Sequence, residues 1–118
     1  MRRPPDLATL RAAWWAQRAL HRARRQLPRR TLDDVALPRP PRLPPHAVRG
    51  VRALLRRRPH SCLEGALVAQ RWLAACGDRR DVVIGVTAPG EDFGAHAWLD
   101  GDPVANAGTF RELRRVRP

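Results

Sequence analysis

The chain has 118 residues, 23 arginines, no lysine and 11 acidic residues, for a net charge of +12. That length holds one domain with at most an appended helical arm, and its 43% hydrophobic content supports a modest core. No apolar run approaches the roughly 20 residues that span a bilayer, and Met1-Arg2-Arg3-Pro4-Pro5-Asp6 lacks the apolar stretch of a secretory signal, so a cytoplasmic home is expected.

The charge is uneven. Residues 1–60 hold 16 arginines against Asp6, Asp33 and Asp34, whereas residues 61–118 hold 7 against 8 acids. A basic half joined to a near-neutral half fits docking of something acidic by the first and chemistry in the second. Arginines coating a solvated helix face give the same count.

Residues 7–27 read as an amphipathic helix, with Ala13, Ala16, Leu20, Ala23 and Leu27 at 3–4 spacing, ended by Pro28. Trp14 and Trp15 are adjacent and cannot share a face, so at least one must anchor elsewhere. Residues 28–45 carry Pro38, Pro40, Pro41, Pro44 and Pro45, which excludes helix and favours an extended strap or a semi-rigid linker. A helix is expected over 46–58, with Val48, Val51, Leu54 and Leu55 inward, ending in Arg56-Arg57-Arg58 and Pro59. These features divide the chain into an arm and connector, 1–45, and a domain, 46–118.

The next helix, about 62–76, is apolar on most sides, as a central buried helix is, and Gly77 suits its C-terminal end. From Asp81 the period changes. Val82-Val83-Ile84-Gly85-Val86-Thr87 is β-branched and short, a strand, and Pro89-Gly90 marks a turn. Gly94 to Leu99 reads as a second strand with His96 and Trp98 on one face. Asp100-Gly101 is a hairpin signal, with a returning strand expected over Asp102–Asn106. Thr109 and Glu112 have capping-box spacing, so a short terminal helix is expected through Val116. Helices followed by antiparallel strands make an α+β domain with a central helix on a small sheet.

Ser61-Cys62-Leu63-Glu64 carries the most chemical information. Ser61 as N-cap and Glu64 three residues on place Cys62 at the first position of the buried helix, where unpaired N–H groups and the macrodipole favour thiolate. His96, on a short strand in an apolar stretch, supplies the base that a thiol nucleophile needs. A residue that orients the imidazole is expected after it: Asn106 first, Asp102 second, Asp100 third. Cys76 lies about 21 Å from Cys62 along the same helix, which excludes a disulfide between them and leaves Cys76 a packing role. Neither the cysteines nor His21, His46 and His60 have metal-ligand spacing, and no cofactor is implied.

Ser61-Cys62-Leu63, the helix to Gly77, Val83-Ile84-Gly85-Val86, Ala95-His96-Ala97-Trp98 and the Pro103-Val104 hairpin together resemble the lasso-peptide leader peptidases, which are papain/transglutaminase-like cysteine proteases. The resemblance covers roughly residues 47–113, and the arginine-rich arm is similar to the family's N-terminal region. It implies a Cys-His-Asp triad with Cys62 and His96 in the first two places. Where the family has an aspartate on the strand after the histidine, this chain offers Asn106, which can orient an imidazole but stabilises an imidazolium less. The resemblance further implies cleavage between leader and core of a ribosomally made lasso precursor peptide through a thioester. Its implied partners are that precursor, a small leader-recognition protein and a macrolactam-forming cyclase. An acyltransferase or transglutaminase on the same fold shares these residues. A basic nucleic-acid-binding protein is the other alternative from charge, against which stand the lack of tyrosine and of a recognisable binding motif.

Overall fold

The computed structural model describes residues 5–87, 94–102 and 110–118, which form two compact units, Met1–His60 and Ser61–Pro118. The order of elements is helical first and then mixed, an α+β chain as expected.

The first unit contains α1 (Leu7–Gln26) and α2 (Val48–Arg57), which pack on each other, with single 3-10 turns at Leu32–Asp34 and Pro45–Ala47. Asp6 caps α1 by accepting from the Thr9 N–H at 2.8 Å. The buried stripe of α1 is Ala12, Trp15, Ala16, Ala19, Leu20 and Ala23. It is rotated from the expected one: Ala13 and Leu27 are only half-buried. Small residues line that stripe because α2 approaches closely. A Cβ on Gly50 would run into the Thr9 carbonyl oxygen and lie 2.9 Å from the Ala13 nitrogen. α2 packs on α1 and falls with it in the compact unit Met1–His60.

The two tryptophans divide as their adjacency requires. Trp15 is 3% exposed, and its indole N–H donates to the Pro38 carbonyl at 3.0 Å; Trp14 is 68% exposed. Gln26 extends the tether, its amide donating to the Ala36 carbonyl and its side-chain oxygen accepting from the Ala36 N–H. The proline-rich segment is thus a strap hydrogen-bonded to α1.

His46 bonds the second oxygen of Asp6 at 2.6 Å. Hydrogen bonds from Thr9, with His46 adding to them, lower the Asp6 carboxyl from 3.8 to about 2. Because the folded value is depressed, the cap's contribution is fully present above about 3.8 and is lost as pH falls through about 2. A carboxyl-resolved NMR titration should place the Asp6 midpoint near 2. A midpoint at the ordinary carboxylate value would show that the cap and the His46 contact do not persist in solution.

The second unit contains α3 (Cys62–Ala75), β1 (Val82–Thr87), β2 (Ala95–Leu99) and β3 (Phe110–Val116). The strands form one antiparallel sheet in the order β2-β1-β3, with Gly85 opposite His96 and Val83 opposite Trp98. Phe110–Val116, expected as a helix, is a strand. Its local residues form helix well, but β1 has a second edge whose N–H and C=O groups need partners, and long-range pairing overrides propensity. The ladder slips between Ile84 and Gly85, so that Leu113 falls between the partners Arg114 and Glu112 and stands exposed. The Pro89-Gly90 turn and the segment from Pro103 to Thr109, with Asn106 in it, lie outside the described residues.

α3 packs on β2 and β1 over Leu67, Val68, Trp72, Val82, Ala97 and Leu99. Its one buried polar side chain among the described residues, Gln70, donates to the carbonyls of Arg80 at 2.9 Å and Val116 at 2.8 Å. One amide thus fixes the helix to the start of β1 and the end of β3. At the C-terminal end, Gly77 has φ of +89°, and the N–H groups of Gly77 and Asp78 return to the carbonyls of Ala74 and Leu73. This is the glycine-ended motif that its sequence position suggested. Cys76, expected to pack, is exposed as the capping residue that follows the last turn of α3.

Candidate active site

Cys62 is the first residue of α3, and the cap that sets it there is complete. The Glu64 N–H donates to Ser61 Oγ at 3.1 Å, and the Ser61 N–H donates to Glu64 Oε1 at 2.8 Å. The Gly65 N–H bonds the Ser61 carbonyl, and among the described residues the N–H groups of Cys62 and Leu63 have no acceptor. N–H groups left without an acceptor at a helix start are donors that an oxyanion on an attacked carbonyl can use. The Cys62 side chain is exposed, so an incoming carbonyl can reach it.

The sulfur meets the sheet at β2. The Ala97 N–H donates to Cys62 Sγ across 3.3 Å. Among the described residues β2 is an edge strand, and its even-numbered residues face β1: the Gly94 carbonyl accepts from Thr87, and the Asp100 N–H donates to Asp81. Ala97 therefore points its N–H away from β1, where the sulfur takes it. This places Sγ one peptide unit from His96.

The His96 side chain is half-buried on the face of β2 opposite Ala97 and Leu99. Its ring stacks on Trp98, centroids 5.8 Å apart, and leans on Phe110 at 5.7 Å. Gly85 makes this cluster fit, since a Cβ there would lie 2.9 Å from the Trp98 ring and 3.1 Å from Phe110 Cβ. Aromatic packing on two sides restricts the imidazole. Among the described residues neither ring nitrogen is hydrogen-bonded, and no bond joins ring to sulfur.

The fallback orienting residues are committed elsewhere. Asp102 bonds Arg80 at 3.0 Å, and Asp100 bonds Arg115 at 2.9 Å. Asp100 is four residues along the strand from His96, about 13 Å at 3.3 Å per residue. Arg115 also holds Glu112 at 2.8 Å and Asp81 at 3.6 Å, and Glu112 first and Asp100 next raise its guanidinium further above its ordinary range. These pairs fasten the turn after β2, where Gly101 has φ of +91°, to the neighbouring strands. Asn106 lies outside the described residues. Among the described residues no three His, Cys, Asp or Glu gather as a metal-binding set, and no helix is long and apolar enough to cross a membrane.

The family model of the transglutaminase-like superfamily matches residues 6–118, nearly the whole chain. The chain belongs to the transglutaminase-like superfamily. No curated protein and no solved structure matches it. Membership of this superfamily points to cysteine protease or acyltransferase chemistry, and the match takes in the arginine-rich arm as well as the residues from Cys62 onward.

Sequence reasoning missed two positioning residues in this transglutaminase-like domain. Gln70 stands with Glu64 and Arg71 among the few polar residues of an apolar helix; its place on the buried face was the signal that it serves backbone carbonyls. Gly85, inside a β-branched strand, was the signal for a close approach, here by Trp98.

Proposed function

We propose that this chain is a cysteine protease that removes the leader segment from a ribosomally synthesised lasso precursor peptide. The observation that carries the reading is Cys62 Sγ at an exposed, capped helix start, 3.3 Å from the Ala97 nitrogen and one peptide unit from His96. Superfamily membership supports the thiol chemistry, and the resemblance of the residues around Cys62 and His96 to the leader peptidases supports the substrate.

In the reaction, the Cys62 thiol gives its proton to His96 and the sulfur attacks the scissile carbonyl. The carbonyl oxygen becomes an oxyanion received by the N–H groups of Cys62 and Leu63. His96 passes the proton to the leaving amine as the C–N bond breaks, which leaves a thioester on Cys62. His96 then takes a proton from water, whose oxygen attacks the thioester and frees the carboxylate and the thiol. Asn106 orients the imidazole from the segment after β2. The leader is gripped by a small recognition protein, and the released core passes to a macrolactam-forming cyclase.

The test is incubation of candidate precursor peptides with the chain, with and without the recognition protein, read by mass spectrometry. The expected products are leader and core peptides whose masses sum to the precursor plus one water. An adduct to an added amine in place of water would assign the chain to acyl transfer. Intact precursor under every condition would overturn the reading.

A further inference from the structure

We infer that the first unit carries a docking groove for an acidic peptide segment that also bears apolar side chains. α1 turns an exposed stripe outward, Leu7, Leu10, Trp14 and Arg18, with Arg11 beside it; Leu7 is 73% exposed, Leu10 53% and Trp14 68%. Such residues at helical spacing with no protein covering them form an interaction surface rather than scattered surface apolars. The strap supplies the other wall. Leu10, Arg11, Trp14, Arg18, Arg39 and Pro41 line a groove of about 430 Å³, inside the roughly 300–1,000 Å³ range of built ligand sites.

Its walls are held, not loose. Trp15 on α1 bonds the Pro38 carbonyl next to Arg39, and the Gln26–Ala36 pair pins the same strap further along. The charge at the groove is uncompensated. Arg11, Arg18 and Arg39 are exposed, and among the described residues none of them is ion-paired. Of the unit's three acids, Asp6 is engaged by Thr9 and His46 and Asp34 by Thr31.

Three guanidinium groups around an indole and aliphatic walls select the occupant. Carboxylates take the arginines as bidentate partners, and a leucine or aromatic side chain fills the space beside Trp14. A nucleic acid would use the arginines but leave Leu7 and Leu10 against water, because its own apolar faces require several exposed aromatic platforms, and of the two tryptophans lining the groove Trp14 is exposed while Trp15 is 3% exposed. The favoured occupant is therefore an acidic peptide.

Binding is measured by fluorescence anisotropy on the full chain carrying Cys62→Ala. The probe is a short fluorescein-labelled peptide in which glutamate pairs alternate with leucine. Its comparators are the same peptide with glutamine for glutamate, an all-glutamate peptide, and duplex DNA. Trp14→Ala, and Arg18→Glu combined with Arg39→Glu, should each weaken binding about tenfold, which is 1.4 kcal/mol. Arg56→Glu with Arg57→Glu, the same charge change at the end of α2, should leave it within about twofold if the site is local, since exposed charges farther away than a Debye length are screened. Both comparator peptides should bind more weakly than the probe. Undetectable binding, equal loss in the α2 control, or an unchanged affinity for either comparator peptide overturns the groove. Duplex DNA bound as tightly as the probe, with the same dependence on Arg18 and Arg39, reassigns the surface to nucleic acid. Because the probe is never cleaved, failure here leaves the chemistry at Cys62 untouched, and failure of cleavage leaves the groove.

Discussion

Cys62→Ala should abolish precursor cleavage, a loss of about 10⁴-fold or more, while the chain unfolds at nearly the same denaturant concentration as the wild type. The activity loss follows from chemistry alone, since no other group at the start of α3 can form the thioester. The small cost in stability follows from exposure. Cys62 is exposed, and its sulfur serves one N–H on a strand edge that water can also serve. Cys62→Ser keeps an acceptor for Ala97 and should be as inactive, which separates nucleophilicity from packing. His96→Asn should cost roughly 10³-fold through loss of the base. Reactivity offers a check without substrate. Cys62 and Cys76 stand at opposite ends of α3 and are both exposed. Cys62 Sγ lies at a helix start and takes the Ala97 N–H, whereas Cys76 lies at the carbonyl end, so iodoacetamide should label Cys62 faster at neutral pH. Equal labelling, together with turnover that survives Cys62→Ala, would remove the cysteine from the chemistry.

Much of this site was legible because its signals are local. Ser61 and Glu64 form a cap within four residues, so the start of α3 and the place of Cys62 on it could be read from spacing. The β-branched run over Val82–Thr87 and the alternation around His96 are likewise local, and the two strands pair as neighbours. What failed depends on distant partners. The residues Phe110–Val116 carry helix-compatible spacing, and only the open edge of β1, some thirty residues earlier, makes them a strand. The ion pairs of Asp100 with Arg115 and of Asp102 with Arg80 are equally non-local, since neither arginine stands beside its partner in sequence. The face of α1 was misjudged for the same reason. Trp15 rather than Ala13 turns inward because the strap supplies a carbonyl for its indole N–H, and a 3–4 pattern in alanines alone cannot record that.

Gly50 gives a case where two physical rules predict opposite signs, and the structure decides between them. In an open helix, Gly→Ala stabilises by about 1 kcal/mol through propensity. Gly50 lies inside α2, where that rule alone would predict a gain. Across the interface, however, the added methyl would fall on the Thr9 carbonyl oxygen, with the Ala13 nitrogen 2.9 Å away. Both are backbone atoms of α1, in a helix, and no side-chain rotation can clear them. The helices must separate, which strips contact from Ala12, Ala16 and Val51, all buried at this interface. Overpacking of this kind costs about 1–3 kcal/mol and more where backbone must move, so Gly50→Ala should destabilise by about 3 kcal/mol net of the propensity gain. In a unit of some sixty residues that is a large share of the total stability. Urea unfolding followed by tryptophan fluorescence, with Arg49→Ala as an exposed control on the same helix, measures it. The fluorescence change should include Trp15, whose burial and bond to Pro38 depend on the intact unit. A rise in midpoint for Gly50→Ala would mean that propensity governs the position, and that α1 and α2 do not approach closely enough to need a residue without a side chain.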